Sequence, residues 1–217
     1  MRREGLPRRH ELVWLVPDAR ATATPGEAAP ALAAWRARGL PLVAARGARS
    51  LPRAIALGLS RPPGAPVRRI AVRAALDTIA RVAPAPLLAE ALGSAPPAWR
   101  APLRALELDA RSAGLALRVH GSLAWQHLSG ERYVGRASDV DLLVEPQDAA
   151  ALARALAVLR RHAEGPPRLD GEVLLGGGGV AWRELAAGGA QVLVKRAASV
   201  ALEPRARFLD GLGEEAP

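Results

Sequence analysis

Two aspartates separated by one valine, Asp139 and Asp141, are the residues best placed to do chemistry in this chain. The run Asp139 to Val144 reads as a strand, on which residues two apart point to the same face. Both carboxylates then project together, while Val140, Leu142 and Val144 face the other way. Carboxylates held close together repel each other, and a cation between them keeps both ionised. Hard Mg2+ suits such a pair: it takes one or two carboxylates, fills its shell with phosphate oxygens, and stabilises the charge on a departing diphosphate. Taken alone, such a pair is more often just the solvent face of an edge strand.

A short way upstream, Leu115 to Val119 reads as a strand that runs into His120-Gly121-Ser122 and then a helix from Leu123 to Leu128. A glycine at a strand-to-helix junction lets phosphate approach the backbone, and free N–H groups at a helix start attract anions. The Ser122 hydroxyl adds a donor. Strand, Gly-Ser, helix, loop and a strand carrying the paired acids make a far more specific constellation than either motif does. Its chemistry is phosphate transfer.

The remaining elements must hold these groups. Pro102 and Gly114 bracket a helix over Leu103 to Ala113, and Asp148 is a natural N-cap for a helix from Ala149 to His162. Arg168 to Leu175 and Val180 to Glu184 read as strands joined by Gly176 to Gly179, with Gln191 to Lys195 as a third. No Gly-Lys-Ser/Thr follows the glycine run, so it is a hairpin turn rather than a phosphate loop. The implied fold class is α/β (α+β), a mixed sheet flanked by helices. Before it, Ala21 to Pro30 reads as a loop, Ala31 to Arg38 as a short helix, Leu40 to Ala44 and Val67 to Val72 as strands, and Ala74 to Val82 as a helix. These suggest a smaller N-terminal α/β module. The breaks around Gly93 to Pro97 place the boundary at residues 98/99, giving modules 1–98 and 99–210 and a frayed tail at 211–217.

Composition bounds the rest. Half of the 217 residues are apolar but only 3% are aromatic, so Leu, Ala and Val must fill the interior. There is no cysteine, which excludes disulfides, thiolate chemistry and Cys-based zinc sites. No apolar run approaches the length of a membrane span, and a cytoplasmic protein is expected. The formal charge is +9, which would favour a nucleic-acid partner. Against that, Lys195 is the single lysine, and the excess is confined to residues 1–100, with 16 basic and 6 acidic groups (16 − 6 = +10), against 14 and 15 beyond (14 − 15 = −1). A nucleic-acid role is not favoured. The four histidines, His10, His120, His127 and His162, show no metal-ligand spacing.

The Gly-Ser turn followed by Asp-x-Asp resembles the DNA polymerase β-type nucleotidyltransferase superfamily. A closer resemblance lies in Arg9 to Leu15, His120-Gly121-Ser122 with Trp125, Tyr133-Val134, Ser138 to Leu143, Asp170-Gly171-Glu172, Val180 to Glu184 and Val192 to Lys195. These look like the malonate decarboxylase holo-acyl-carrier-protein synthases, which are phosphoribosyl-dephospho-CoA transferases. The resemblance is strongest from residue 118 to residue 195. It implies transfer of the phosphoribosyl-dephospho-CoA group from triphosphoribosyl-dephospho-CoA to a serine of the malonate decarboxylase acyl carrier protein, with diphosphate leaving. It also implies two Mg2+ ions on Asp139, Asp141 and a third acid on a later strand. That acid is Asp170 first, or Glu172, which shares its face. Gly121, Ser122, Arg183 and Lys195 are the candidate substrate-binding groups. Trp125 and Trp182 can stack adenine or simply fill the core. Transfer of AMP from another donor and a non-catalytic nucleotide-binding module are the competing readings.

Overall fold

The computed structural model describes residues 6–47 and 53–212. It divides into two compact units, Met1–Ala85 with Arg196–Ser199, and Pro86–Lys195 with Val200–Pro217.

In the first unit β1 (Leu12–Leu15), β2 (Ala21–Thr24), β3 (Leu42–Ala44), β4 (Ala54–Ser60), β5 (Arg69–Ala75) and β6 (Ile79–Ala83) form a sheet in the order β2-β5-β4-β3-β1-β6. Each recorded pairing is antiparallel. Strict alternation explains the central strands: Ile55, Leu57 and Leu59 of β4 and Ile70, Val72 and Ala74 of β5 are buried, while Arg69 and Arg73 point to solvent. The helix α1 (Ala29–Ala37) buries Leu32 and Trp35, and the Trp35 indole N–H donates to the Pro41 carbonyl.

Two sequence expectations fail here. Ala21–Thr24 is a strand rather than the start of a loop, because β5 supplies its partners. The helix expected over Ala74 to Val82 is instead the end of β5, one 3-10 turn (Leu76–Thr78) and β6. Ala75, Ile79 and Val82 do have helical spacing, but Thr78, Ile79 and Val82 are β-branched, β1 offers a ladder, and the Thr78 hydroxyl closes the turn on the Ala75 carbonyl.

The second unit contains α2 (Leu88–Ala91), α3 (Pro97–Ser112), β7 (Arg118–His120), α4 (Gly121–Ser129), β8 (Val140–Val144), α5 (Ala149–Arg161), β9 (Leu169–Leu175), β10 (Gly178–Ala181), α6 (Trp182–Ala187), β11 (Gln191–Arg196), β12 (Val200–Pro204) and α7 (Arg205–Leu209). Its six-stranded sheet runs β12-β11-β10-β9-β8-β7. The β8–β9 pair is parallel, and β7–β8, β9–β10 and β11–β12 are antiparallel, so the sheet is mixed and the fold is α+β. Leu103, Leu106 and Ala110 of α3 and Leu152, Ala155, Leu156 and Leu159 of α5 share one core with Val140, Leu142 and Val144. The Asp148 carboxylate caps α5 by accepting from Ala151 N.

The units divide at Ala85/Pro86 rather than at residues 98/99. The segment after Ala85 is stitched to the second sheet: Val119 N donates to Pro86 O and Leu88 N to Leu117 O, both at 2.8 Å. Leu88, Ala91 and Ala95 then sink into that core. The charge asymmetry survives the shift, since residues 1–85 hold 15 basic and 5 acidic groups (15 − 5 = +10). The helix α3 starts at Pro97, so Pro102 lies within it instead of opening it. The strand expected over Val180 to Glu184 ends at Ala181, and Trp182 begins α6, with Glu184 in its first turn and left-handed Gly188 at its end. Of the four glycines, Gly176 and Gly177 (φ 52° and 73°) make the turn, while Gly178 and Gly179 belong to β10. Residues 213–217 of the expected tail lie outside the described residues, and Leu209 ends the last helix.

Candidate active site

Register places the acids. Across the parallel pair, Asp141 stands opposite Asp170 and Leu143 opposite Glu172; across the antiparallel pair, His120 stands opposite Asp141. Registered partners share a face, so His120, Asp141 and Asp170 form one row across three strands. Asp139 lies just ahead of β8 and, by strand alternation, on the side of Asp141.

The Gly-Ser turn lies against this row. Gly121 has φ +63°, and a β-carbon built on it would stand 1.9 Å from Asp141 Oδ2 and 2.8 Å from its Cγ. Only glycine fits, for space and for backbone conformation together. Its N-cap residue, His120, makes no side-chain capping bond, so α4 presents its first-turn N–H groups without a side-chain cap beside the carboxylate. Gly171 does a related job in β9. With φ +131°, it brings the strand so near β8 that a β-carbon would stand 2.0 Å from Leu142 O, and its N–H donates to Asp170 Oδ1 at 2.8 Å.

The two aspartates sit in opposite electrostatic states. Burial, then the like charges of Asp170, Asp139 and Glu172, push the Asp141 carboxyl up to about 6. Asp139 is held below the usual carboxylate range by its hydrogen bonds from Arg168. The Arg168 Nε donates to Asp139 Oδ1 at 2.7 Å, and Nη2 donates to Oδ2.

The other candidate residues separate. Asp170 is in the row beside Asp141, whereas Glu172, only 6% exposed, is bound to Lys195 Nζ at 3.0 Å. Arg183 comes from α6, lies over the Trp182 ring at 4.4 Å from its centroid, and donates to the Leu169 carbonyl at the start of β9. Trp125 and Trp182 are both buried, Trp125 stacked on Tyr133, so they pack the core. Sequence reasoning missed Arg168. It is one residue ahead of β9 and alternates with Asp170 and Glu172, but its pairing with Asp139 depends on a parallel register that no local pattern encodes.

The donor set consists of hard carboxylate oxygens, and Asp141 is crowded by like charge that a cation would relieve. Among the described residues no three His, Asp or Glu side chains converge tightly enough to cage a metal.

Residues 87–206 match the family model described as the phosphoribosyl-dephospho-CoA transferase MdcG C-terminal domain, and residues 8–85 match that of the MdcG N-terminal domain. The chain belongs to this family. It is similar to the phosphoribosyl-dephospho-CoA transferase of Xanthomonas campestris pv. campestris strain 8004, with 46% identity over 202 residues, covering 91% of this chain and 94% of the relative. The transferase of the same name from Bradyrhizobium diazoefficiens is 36% identical over 214 residues, covering 94% and 93%. That from Xanthomonas euvesicatoria is 43% identical over 203 residues. No solved structure matches the chain. The boundary between the two family domains falls where the units of this phosphoribosyl-dephospho-CoA transferase family member divide, at residues 85 to 87.

Proposed function

We propose that this enzyme transfers the phosphoribosyl-dephospho-CoA group from triphosphoribosyl-dephospho-CoA to a serine hydroxyl of the malonate decarboxylase acyl carrier protein, releasing diphosphate. The observation that supports the site chemistry is Gly121 pressed against Asp141, a helix N-terminus fit for phosphate beside the repelling acids, while the donor and the carrier follow from the family match. Asp139 and Asp141 would hold Mg2+, with Asp170 beside them as the third acid and a second ion as the full complement. Bound there, Mg2+ would neutralise the triphosphate and the departing diphosphate.

The chain's own groups do the rest. First-turn N–H groups of α4 and the Ser122 hydroxyl hold a phosphate, and Gly121 keeps the approach open. Asp170 orients the carrier serine and takes its proton. The serine oxygen bonds to the phosphorus nearest the ribose as that phosphorus loses its bond to the diphosphate oxygen, leaving a phosphodiester. Arg183, stacked on Trp182 and bonded to the Leu169 carbonyl at the start of β9, is the substrate-side cation. Lys195 acts indirectly, by neutralising Glu172. Among the described residues no helix is long and apolar enough to cross a membrane, and we assign the reaction to the cytoplasm as part of this reading.

Intact-mass measurement of the apo carrier, incubated with enzyme, Mg2+ and the triphosphate precursor, tests the reading. A gain equal to the phosphoribosyl-dephospho-CoA group is expected. No gain, or a gain of AMP from ATP instead, would overturn the assigned donor.

A further inference from the structure

Arg168 stands among the site carboxylates without being one of the groups assigned to the transfer. Val140 pairs with Leu169 at the entrance to the parallel strands, and Val140 N donates to Arg168 O at 2.9 Å, so the residues one step earlier, Asp139 and Arg168, are cross-strand neighbours. Arg168, Asp170 and Glu172 alternate along β9, which puts the guanidinium on the face of the acids. It engages both Asp139 oxygens, through Nε and Nη2. Those are the atoms that a cation on the Asp139–Asp141 pair would need.

The two partners differ in freedom. The Arg168 side chain is 70% exposed and that of Asp139 only 22%. An exposed ion pair is weak enough to exchange. A guanidinium fork fits phosphate oxygens as well as it fits a carboxylate. We propose that Arg168 is a positioning residue with two successive partners: it occupies Asp139 in the free enzyme, and hands its fork to the substrate triphosphate when cation and triphosphate arrive together. This rests on the reading of Asp139 and Asp141 as the cation site. The consequence is coupled binding: cation alone competes with Arg168, whereas cation with triphosphate gives the arginine a second partner. The free enzyme thereby keeps its acids from binding a bare cation tightly.

The test uses Mn2+ as the probe, with free ion read by electron paramagnetic resonance, for the whole chain as wild type, Arg168→Ala and Arg168→Lys. Without triphosphate, both variants should bind Mn2+ about threefold more tightly, because the competing fork is gone. With Mn2+ present, inorganic triphosphate should bind Arg168→Ala about tenfold more weakly, a typical loss for a charge-assisted bond. Structural damage would weaken both ligands, so effects of opposite sign are diagnostic. Tightening in Arg168→Ala but not in Arg168→Lys would mean net charge and not the fork is responsible, and would overturn the proposal. So would variants indistinguishable from a wild type that binds both ligands. A wild type that binds no Mn2+ even with triphosphate would remove the cation site itself, and the role of Arg168 with it.

Discussion

Asp141 is less comfortable in the folded chain than in the unfolded one, since burial and three neighbouring acids push its carboxyl up to about 6. A raised carboxyl binds its proton more tightly in the folded state, so this stability is present in full below the unfolded value of 3.8 and is lost as pH rises through about 6. Asp141→Asn should therefore raise the melting temperature of the metal-free protein at pH 7.5, by the equivalent of about 1–2 kcal/mol, and hardly at all at pH 4. Added Mg2+ should likewise raise the wild-type melting temperature more at pH 7.5 than at pH 5, where protons compete for the site. Calorimetry across that range reads both. Gly121→Ala should cost about 1–2 kcal/mol for the left-handed backbone alone and about a hundredfold in turnover, because its β-carbon displaces the Asp141 carboxylate. At this scale much of the candidate site's arrangement was legible. Same-face spacing of Asp139 and Asp141 and the adjoining Gly-Ser turn are local patterns; the arginine fork on Asp139 and the Glu172–Lys195 pair are tertiary and left no local trace.

Elements align these residues, and the parallel β8–β9 pair matters most because it sets Asp141 beside Asp170. Gly171 is its tightest point. With Leu142 backbone 2.0 Å from a hypothetical β-carbon and no flexible side chain to yield, Gly171→Ala should separate the strands, destabilise by about 3 kcal/mol or more, and abolish transfer. Asp148→Ala is the contrasting substitution: losing the α5 cap should cost about 1 kcal/mol in denaturant melts and leave kcat unchanged. Helices α4 and α5 and strands β8 and β9 followed from their periodicity and caps. What misled was local pattern without a partner. Ala75, Ile79 and Val82 repeat like a helix, yet β1 recruits Ile79 to Ala83 as a strand. Trp182 and Leu185 carry helical spacing next to a glycine cap that a strand reading of Val180 to Glu184 passed over.

On the scale of the molecule, charge is the property that composition already exposed. Residues 1–85 carry +10 by count (15 − 5), and whether the boundary is taken at 85 or at 98 does not alter the excess appreciably. Under the proposed reaction, a cationic unit should speed encounter with the triphosphate donor and with a carrier protein of acidic surface. The apparent KM for the carrier should accordingly rise several-fold between 50 and 300 mM salt, by an estimate of roughly three- to tenfold, with kcat little changed. The boundary itself was misplaced from sequence because Gly93 to Pro97 looks like a linker, while the hydrogen bonds that tie Pro86 and Leu88 to the second sheet are long-range. The central claim is that Asp139 and Asp141 carry out the transfer at the Gly121 turn, and the most direct measurement is the single-turnover rate of carrier loading by Asp141→Asn. The expected result is a loss of about a thousandfold or more, in a protein that melts no lower than wild type. Loading at a rate within a few-fold of wild type by that variant would contradict the account.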